Sequence, residues 1–298
     1  MINIKYRALL SAIEEGNLTA AAAKLSYSQP GISHMIDYLE KELGFSLLTR
    51  LKSGVIPTEE ANILLPHIRQ MINAEDRIYE ISKQIKGIES GQVRIGTYFS
   101  ISVYWLPKII SAFEKQHPNI SLRLSEGDGA EVAQGIKSGS LDIGFISETD
   151  CSGIDFIPIT KDPIMAILPK GHPLAQKETV DLKELTKYPF IYSTESSYEE
   201  IYKMILSDSS IALDIKYRVK GDEAILAMAS EGLGVSLMPK LLFDTRHDSR
   251  LSIRPLNKSI SRTLGIALRS KEFVSPAAKS FITTALEVLK EQVLKEEG

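Results

Sequence analysis

The strongest constraint on this chain is a change of hydrophobic period at Gly91. Before that residue, apolar positions recur every three or four places, the spacing of helices. After it, short apolar runs alternate with helical stripes, the pattern of strands joined by helices. One core does not serve both patterns over 298 residues, so two or three domains with linkers are expected. With 43% hydrophobic and 24% charged residues, each part has the composition of a folding chain.

The formal net charge of −3 excludes a protein-wide positive field, so any nucleic-acid contact must be local. A single cysteine, Cys151, rules out an intramolecular disulfide and a multi-thiolate metal site, which fits a reducing compartment. The histidines show no metal-ligand spacing, and no cofactor is expected. The first residues lack an apolar run followed by a small-residue cleavage site. No stretch approaches the roughly 20 apolar residues of a membrane span, so a cytoplasmic protein without membrane contact is expected.

Residues 1–57 read as three short helices and a hairpin. Tyr6, Leu9, Leu10 and Ile13 form the first stripe, ended by Gly16-Asn17. Thr19 is expected to cap a second helix through Ala20-Ala21-Ala22-Ala23-Lys24-Leu25, whose small side chains admit a close neighbour. Ser28 is expected to cap a third helix with Pro30 in its first turn, where a missing N–H costs nothing. There Ile32, Ile36, Leu39 and Leu43 share one buried stripe, which turns Gln29, Ser33, His34 and Asp37 outward. An alanine-rich helix, a short turn and a polar-faced helix make a helix-turn-helix, whose second helix enters the DNA major groove. The segment Leu47 to Pro57 reads as a hairpin tipped by Ser53-Gly54, with Arg50 and Lys52 as a wing beside the phosphates. The charge balance over 1–57 is only about +1.

Residues 58–90 read as a linker helix capped by Thr58 with an acidic first turn, Glu59-Glu60. Pro66 implies either a kink or a start after it. Leu64, Ile68, Met71, Ile78 and Ile85, with Ile72 and Ile81, make an apolar face that a lone helix cannot bury, so it points to pairing with a second chain. From Gly91 onward the strands Val93–Gly96, Ile120–Leu124 and Asp142–Ile146 alternate with helices Val103–Gln116 and Ala130–Lys137, a run that predicts a parallel sheet. Strands at Ile164–Leu168, Phe190–Tyr192, Lys216–Val219, Val235–Met238 and Leu264–Leu268 follow, with helices Tyr198–Leu206, Glu223–Ser230 and a closing one from Pro276 to about Lys295. This gives two α/β lobes in 91–298, lobe I about 91–161 and 266–298, lobe II about 162–265.

Ordered motifs now converge. They are Gly16-Asn17-Leu18-Thr19-Ala20-Ala21-Ala22, Leu25-Ser26-Tyr27-Ser28-Gln29-Pro30-Gly31-Ile32-Ser33 and Leu39-Glu40-Lys41-Glu42-Leu43-Gly44. Further on come Leu106-Pro107, Gly139-Ser140-Leu141-Asp142-Ile143-Gly144 and Gly232-Leu233-Gly234-Val235-Ser236-Leu237-Met238-Pro239. Over essentially its full length the chain resembles the LysR-type transcriptional regulators. The resemblance implies an N-terminal winged helix-turn-helix, a dimerising linker helix and a two-lobed α/β effector domain like the periplasmic binding proteins. It also implies a homotetramer whose seat on a pseudo-palindromic operator is reset by a small molecule between the lobes. His34, Asp37 and Tyr38 depart from the family's usual basic or polar residues, and Pro57-Thr58-Glu59-Glu60-Ala61 replaces its usual entry to the linker helix.

For DNA contact the candidates are Thr19, Ser28, Gln29, Pro30, Ser33, His34, Arg50 and Lys52. Gln29 leads, because an amide can bond adenine N6 and N7 as a pair, whereas Arg50 and Lys52 suit phosphates. Asp37, an anion, must point away from the phosphates or accept from a cytosine amino group. Ligands of α/β sheets bind beyond the carboxyl ends of strands, often at helix N-termini. That rule selects Tyr98, Phe99, Ser100 and Ser102, then Gly127 and Asp128, Ser147 and Glu148, and Ser193, Thr194 and Glu195. Hydroxyls and amides near Ser100 suit a carboxylate, and the acidic members suit an amino group, so the effector is expected to be carboxylate-bearing or zwitterionic. The bland alternatives are plain capping and solvated polar surface. A transport receptor or an enzyme using the cleft are the competing classes. The extra N-terminal module counts against the first and the missing nucleophile-base pair against the second.

Overall fold

In the computed structural model, residues 3–86, 90–208, 210–243 and 248–296 are described. The chain divides into two compact units, Met1–Ser90 with Lys137–Ser140, and Gly91–Ile136 with Leu141–Gly298.

The first unit is built from α1 (Ile4–Glu15), α2 (Leu18–Leu25), α3 (Gln29–Leu43), β1 (Leu48–Leu51), β2 (Gly54–Pro57) and α4 (Glu59–Ile85). Gly16 ends α1 at φ 62°, and Asn17 rather than Thr19 caps α2. The extended Asn17 turns its side-chain oxygen onto the amides of Thr19 and Ala20 at 2.7 and 3.3 Å, so Thr19 lies inside the first helical turn. Ser28 caps α3 as expected, its hydroxyl accepting from Gly31 N at 3.2 Å. Ile32, Ile36 and Leu39 close over Leu9, Ala12, Ala21, Ala22 and Leu47 in one core.

The hairpin tip is Lys52-Ser53, since Leu51 pairs with Gly54. Gly54 opens β2 because its Cα lies against the α1–α2 turn. A side chain there would collide with Gly16 O, and Val55 N bonds that same carbonyl at 2.8 Å. Thr58 caps α4 through Ala61 N at 3.1 Å, and the helix runs on through Pro66 instead of starting after it. The lost backbone bond is offset by burial of Ala61, Leu65, Ile68 and Ile72 in the first unit's core. Ile63, Ile78, Tyr79, Ile81 and Ile85 remain exposed along α4. Arg7 fixes α1 to this helix through Glu75 at 3.2 Å and through Asp76.

The second unit comprises β3 (Gly91–Thr97), α5 (Phe99–Tyr104), α6 (Leu106–Gln116), β4 (Ile120–Glu126), α7 (Gly129–Ser138), β5 (Ile143–Ser147) and β6 (Asp155–Pro169). It continues with α8 (Leu182–Leu185), β7 (Pro189–Ser193), α9 (Glu199–Leu206), β8 (Asp214–Val219), α10 (Asp222–Ser230), β9 (Ser236–Pro239), β10 (Leu251–Pro255), β11 (Ser261–Leu268) and α11 (Pro276–Glu296). β4, β3 and β5 pair in parallel, and β7 pairs β8 in parallel. Neither lobe is wholly parallel, however. β11 runs antiparallel to both β5 and β6, and β6 continues into the second lobe antiparallel to β9 and β10.

The two lobes are thus joined by two adjacent long strands, β6 and β11. β6 begins nine residues before the Ile164 expected from sequence. Pro158, Pro163, Lys161 and Asp162 hide that first half from any alternation count. The helix expected from Val103 is two helices broken at Trp105, ahead of Pro107. Tyr98, Trp105, Phe113, Phe145 and Phe281 centre the core of the first lobe, and Phe190, Tyr198 and Tyr202 that of the second.

Asn17→Ala should destabilise the first unit by about 1 kcal/mol and Thr19→Ala by under about 0.5 kcal/mol, measured by urea unfolding followed by circular dichroism.

Candidate functional site

In the first unit the stripe arithmetic of α3 turns Ser28, Gln29, Pro30, His34 and Asp37 to solvent, with Ser33 half-buried beside them. Thr19, Arg50 and Lys52 are also exposed. The Ser28 hydroxyl is already engaged by its cap. Arg50, on the hairpin, reaches across to α3, where Nη1 donates to Ser33 Oγ at 3.1 Å and Nη2 to Asp37 Oδ1. Lys5 Nζ sits 3.2 Å above the Tyr38 ring on the next position of that helix.

In the second unit a cavity of about 190 Å³ opens at the carboxyl ends of the strands of both lobes. From the first lobe it takes Tyr98, Phe99 and Ser100 at the entry to α5, Glu126 closing β4, and Gly127, Asp128 and Glu131 at the entry to α7. From the second lobe come Glu195, Ser197, Tyr198, Lys220 and Asp222, and from the crossover strand β11 comes Arg262. Asp128 and Glu131 form a reciprocal capping box, each carboxylate accepting from the other's backbone N–H at 3.0 Å.

The floor is a buried ion pair. Arg262 Nε and Nη2 donate to Asp162 Oδ2 at 3.1 and 3.0 Å, both residues being under one-tenth exposed. Nη2 also reaches Ser100 Oγ at 3.3 Å, and Asp162 Oδ1 accepts from Leu241 N at 3.0 Å. Burial pulls the guanidinium pKa down, but Asp162 and the nearby tyrosines more than reverse this, so Arg262 keeps its charge. Each lobe then contributes a buried tyrosine donating to a carboxylate. Tyr98 donates to Asp150 and accepts from Ser147 N at 3.1 Å, and Tyr198 donates to Asp222 Oδ1 at 2.6 Å. Burial holds both phenols well above their ordinary range. It also raises Asp150, Asp222 and Glu195, the last with help from Asp222.

Of the residues selected from sequence, the cavity brings together Tyr98, Phe99, Ser100, Gly127, Asp128 and Glu195. Ser102 stands behind them, its single hydroxyl proton shared between two acceptors, Glu126 Oε2 at 2.6 Å and Phe99 O at 2.8 Å. Ser147 is buried and works through its amide on Tyr98, while Glu148 is exposed in a following turn. Ser193 gives its amide to Tyr202 Oη, and Thr194 gives its amide to Val219 O, so neither lines the cavity. Sequence reasoning missed Glu126, Glu131, Ser197, Tyr198, Lys220, Asp222 and Arg262. The strand-end rule applied to β4 and β8 finds Glu126, Lys220 and Asp222. Arg262 carries a subtler signal, a cation within the apolar run Ser261 to Leu268.

A winged helix-turn-helix followed along the chain by a two-lobed domain with a small charged cleft defines the class of ligand-responsive DNA-binding regulators. The chain belongs to the LysR family of bacterial transcriptional regulators: the lysR-family regulatory helix-turn-helix model matches residues 5–62 and the LysR substrate binding domain model residues 86–290. It is 28% identical over 286 residues to the uncharacterized HTH-type transcriptional regulator YvbU of Bacillus subtilis, covering 95% of this chain and 97% of that one. It is 29% identical to the probable HTH-type transcriptional regulator LrrA of Synechococcus elongatus, covering 94% and 95%. Among solved structures, a full-length OxyR variant from Pseudomonas aeruginosa shares the fold at TM-score 0.78 and 21% identity, over 96% of this chain and 93% of that one. The chain is therefore a LysR-type DNA-binding transcriptional regulator with an effector-binding domain. No described helix is long and apolar enough to cross a membrane.

Asp162→Ala strands a buried guanidinium and should cost about 3–5 kcal/mol, whereas the apolar pair Asp162→Leu with Arg262→Met should recover most of that loss. The single tryptophan, Trp105, lies buried in the first lobe and reports the unfolding by fluorescence.

Proposed function

We propose that this regulator reads a two-fold pseudo-palindromic operator with α3 and that a small zwitterionic effector in the cleft sets how it sits there. In this reading residues 1–57 bind DNA, 58–90 link and dimerise, and 91–298 sense the effector. The protein is cytoplasmic and catalyses no reaction. Gln29 reads adenine, and Ser33 and His34, one turn on, reach a base or a phosphate. Lys52 and Arg50 contact phosphates, with Thr19, Ser28 and Pro30 at the helix ends that approach the backbone. The exposed isoleucines of α4 supply a dimer seam, and the family's habit of four chains makes the homotetramer the working unit.

The observation that carries the effector reading is the pairing of opposite charges in so small a space. Arg262 Nη1 has no hydrogen-bond partner among the described residues, and Ser100 lies beside it, which suits a carboxylate. Asp128, Glu195 and Asp222 line the same cavity and suit an ammonium group. At about 190 Å³ the cavity is smaller than the roughly 300–1,000 Å³ of drug-sized sites, which favours a molecule the size of an amino acid or a short conjugate of one. Binding shifts the population of two lobe arrangements, by no more than the difference in affinity for them.

Selection of random duplex DNA on the purified chain should recover a two-fold site. Gln29→Ala should weaken that site about 5- to 150-fold, the equivalent of about 1–3 kcal/mol for a bidentate base contact, while sparing random DNA. A thermal-shift screen of amino acids, amines and monocarboxylates tests the effector class. Zwitterions should raise the melting temperature of the wild type and not of Ser100→Ala. A screen in which only bare dicarboxylates stabilise overturns the zwitterion.

A further inference from the structure

Gln29, Ser33 and Asp37 are spaced by four on α3 and so lie in one stripe. The last of them is a carboxylate on the face that reads DNA, an arrangement that repels a phosphate backbone unless something answers the charge. Arg50 answers it. Its guanidinium spans from the hairpin to α3, one nitrogen on Ser33 Oγ at 3.1 Å and the other on Asp37 Oδ1, while Ser33 Oγ itself lies 3.4 Å from Asp37 Oδ2. The side chains of Arg50 and Asp37 are 47% and 48% exposed, so their pairing adds little to stability and is readily exchanged for another partner.

Resting on the reading that α3 enters the major groove, we propose that Asp37 is a specificity-determining residue that withholds Arg50 from phosphate until a cytosine replaces it. In the major groove a carboxylate finds its donor in the cytosine N4 amino group. When that base stands opposite Asp37, the carboxylate accepts from it and Arg50 is released to the adjacent phosphate. At guanine and thymine the groove edge offers no donor, and at adenine the N6 donor lies beside the N7 acceptor, so moving Arg50 to the backbone leaves the anion poorly answered and the guanidinium stays where it is. The device makes a nearly neutral module discriminate by penalising the wrong partner as well as by rewarding the right one. The hairpin is well suited to the task, because Gly54 and Val55 pin its second strand against Gly16 while Arg50 sits opposite Val55 in the register.

The test uses the full-length chain, fluorescence anisotropy on random and selected duplexes over a salt series, and repeat selection with each variant. Asp37→Ala, and equally the isosteric Asp37→Asn, should bind random duplex several-fold more tightly. Its dependence of log K on log salt should steepen by about 0.9 for each phosphate gained, and cytosine enrichment at one base pair of each half-site should vanish. In an Arg50→Ala background the same substitutions should produce neither the tighter random binding nor the steeper slope. If the gain persists at full size without Arg50, simple charge removal explains it and the clamp is overturned. It is likewise overturned if Asp37→Ala changes neither random binding nor the cytosine preference while Gln29→Ala weakens the operator. If both substitutions are silent, the reading of α3 as the DNA-contacting helix falls, and the clamp with it.

Discussion

The buried pair of Arg262 and Asp162 is the interaction on which the effector domain turns. The two residues are register partners on β11 and β6, the strands that pass from one lobe to the other. Placing a salt bridge there, rather than two apolar residues, gives up stability, since a dry ion pair rarely outperforms hydrophobic packing of equal volume. In exchange the crossover is tied by directional bonds to two further elements. Ser100 lies in the first turn of α5 in the first lobe, and Leu241 lies in the short helical turn Lys240–Phe243 after β9. A ligand that engages Arg262 therefore acts on the strands about which the lobes are joined, and not merely on a wall of the cleft.

The same economy of polar contacts governs the rest of the cavity. Asp128 and Glu131 have already committed bonding capacity to capping α7, and Asp222 and Asp150 to buried tyrosines. Because burial raises the pKa of Glu195 and Asp222, which line the cavity, their charged forms are held at a cost that an incoming cation would relieve. Tyr98 and Tyr198, each donating from its own lobe, keep two carboxylates, Asp150 and Asp222, in fixed orientation.

Much of this is legible in the sequence, and the remainder is hidden for specific reasons. The stripes of α1 and α3, the Ser28 and Thr58 caps and the parallel strands all follow from period and turn chemistry, because local propensity and tertiary packing agree there. Thr19 is the expected cap of α2 because Ser and Thr are common ones, but Asn17 sits two residues earlier in extended backbone and takes the amides instead. The first half of β6 is hidden by its prolines and charges. Those residues stand where the strand leaves one lobe for the other. The strand-end rule reaches Tyr98, Ser100, Asp128 and Glu195 because it concerns backbone topology. It does not reach Arg262, which enters the site from within a strand and across 162 residues from Ser100.

The DNA-binding unit poses the opposite electrostatic problem. With a balance of about +1 over residues 1–57, bulk attraction to DNA is weak, and several of its cations are committed within the protein. Lys24 is paired with Glu14 and Glu15, Arg7 with Glu75 and Asp76, and Arg50 with Asp37. A module so restrained gains little from non-specific phosphate contact, since each uncommitted cation would have contributed to it through counterion release. In the proposed reading its affinity comes instead from base-edge contacts on α3 and from the multiplication of weak half-sites by oligomerisation, and the exposed isoleucines of α4 then matter to operator binding as much as the residues that touch the bases.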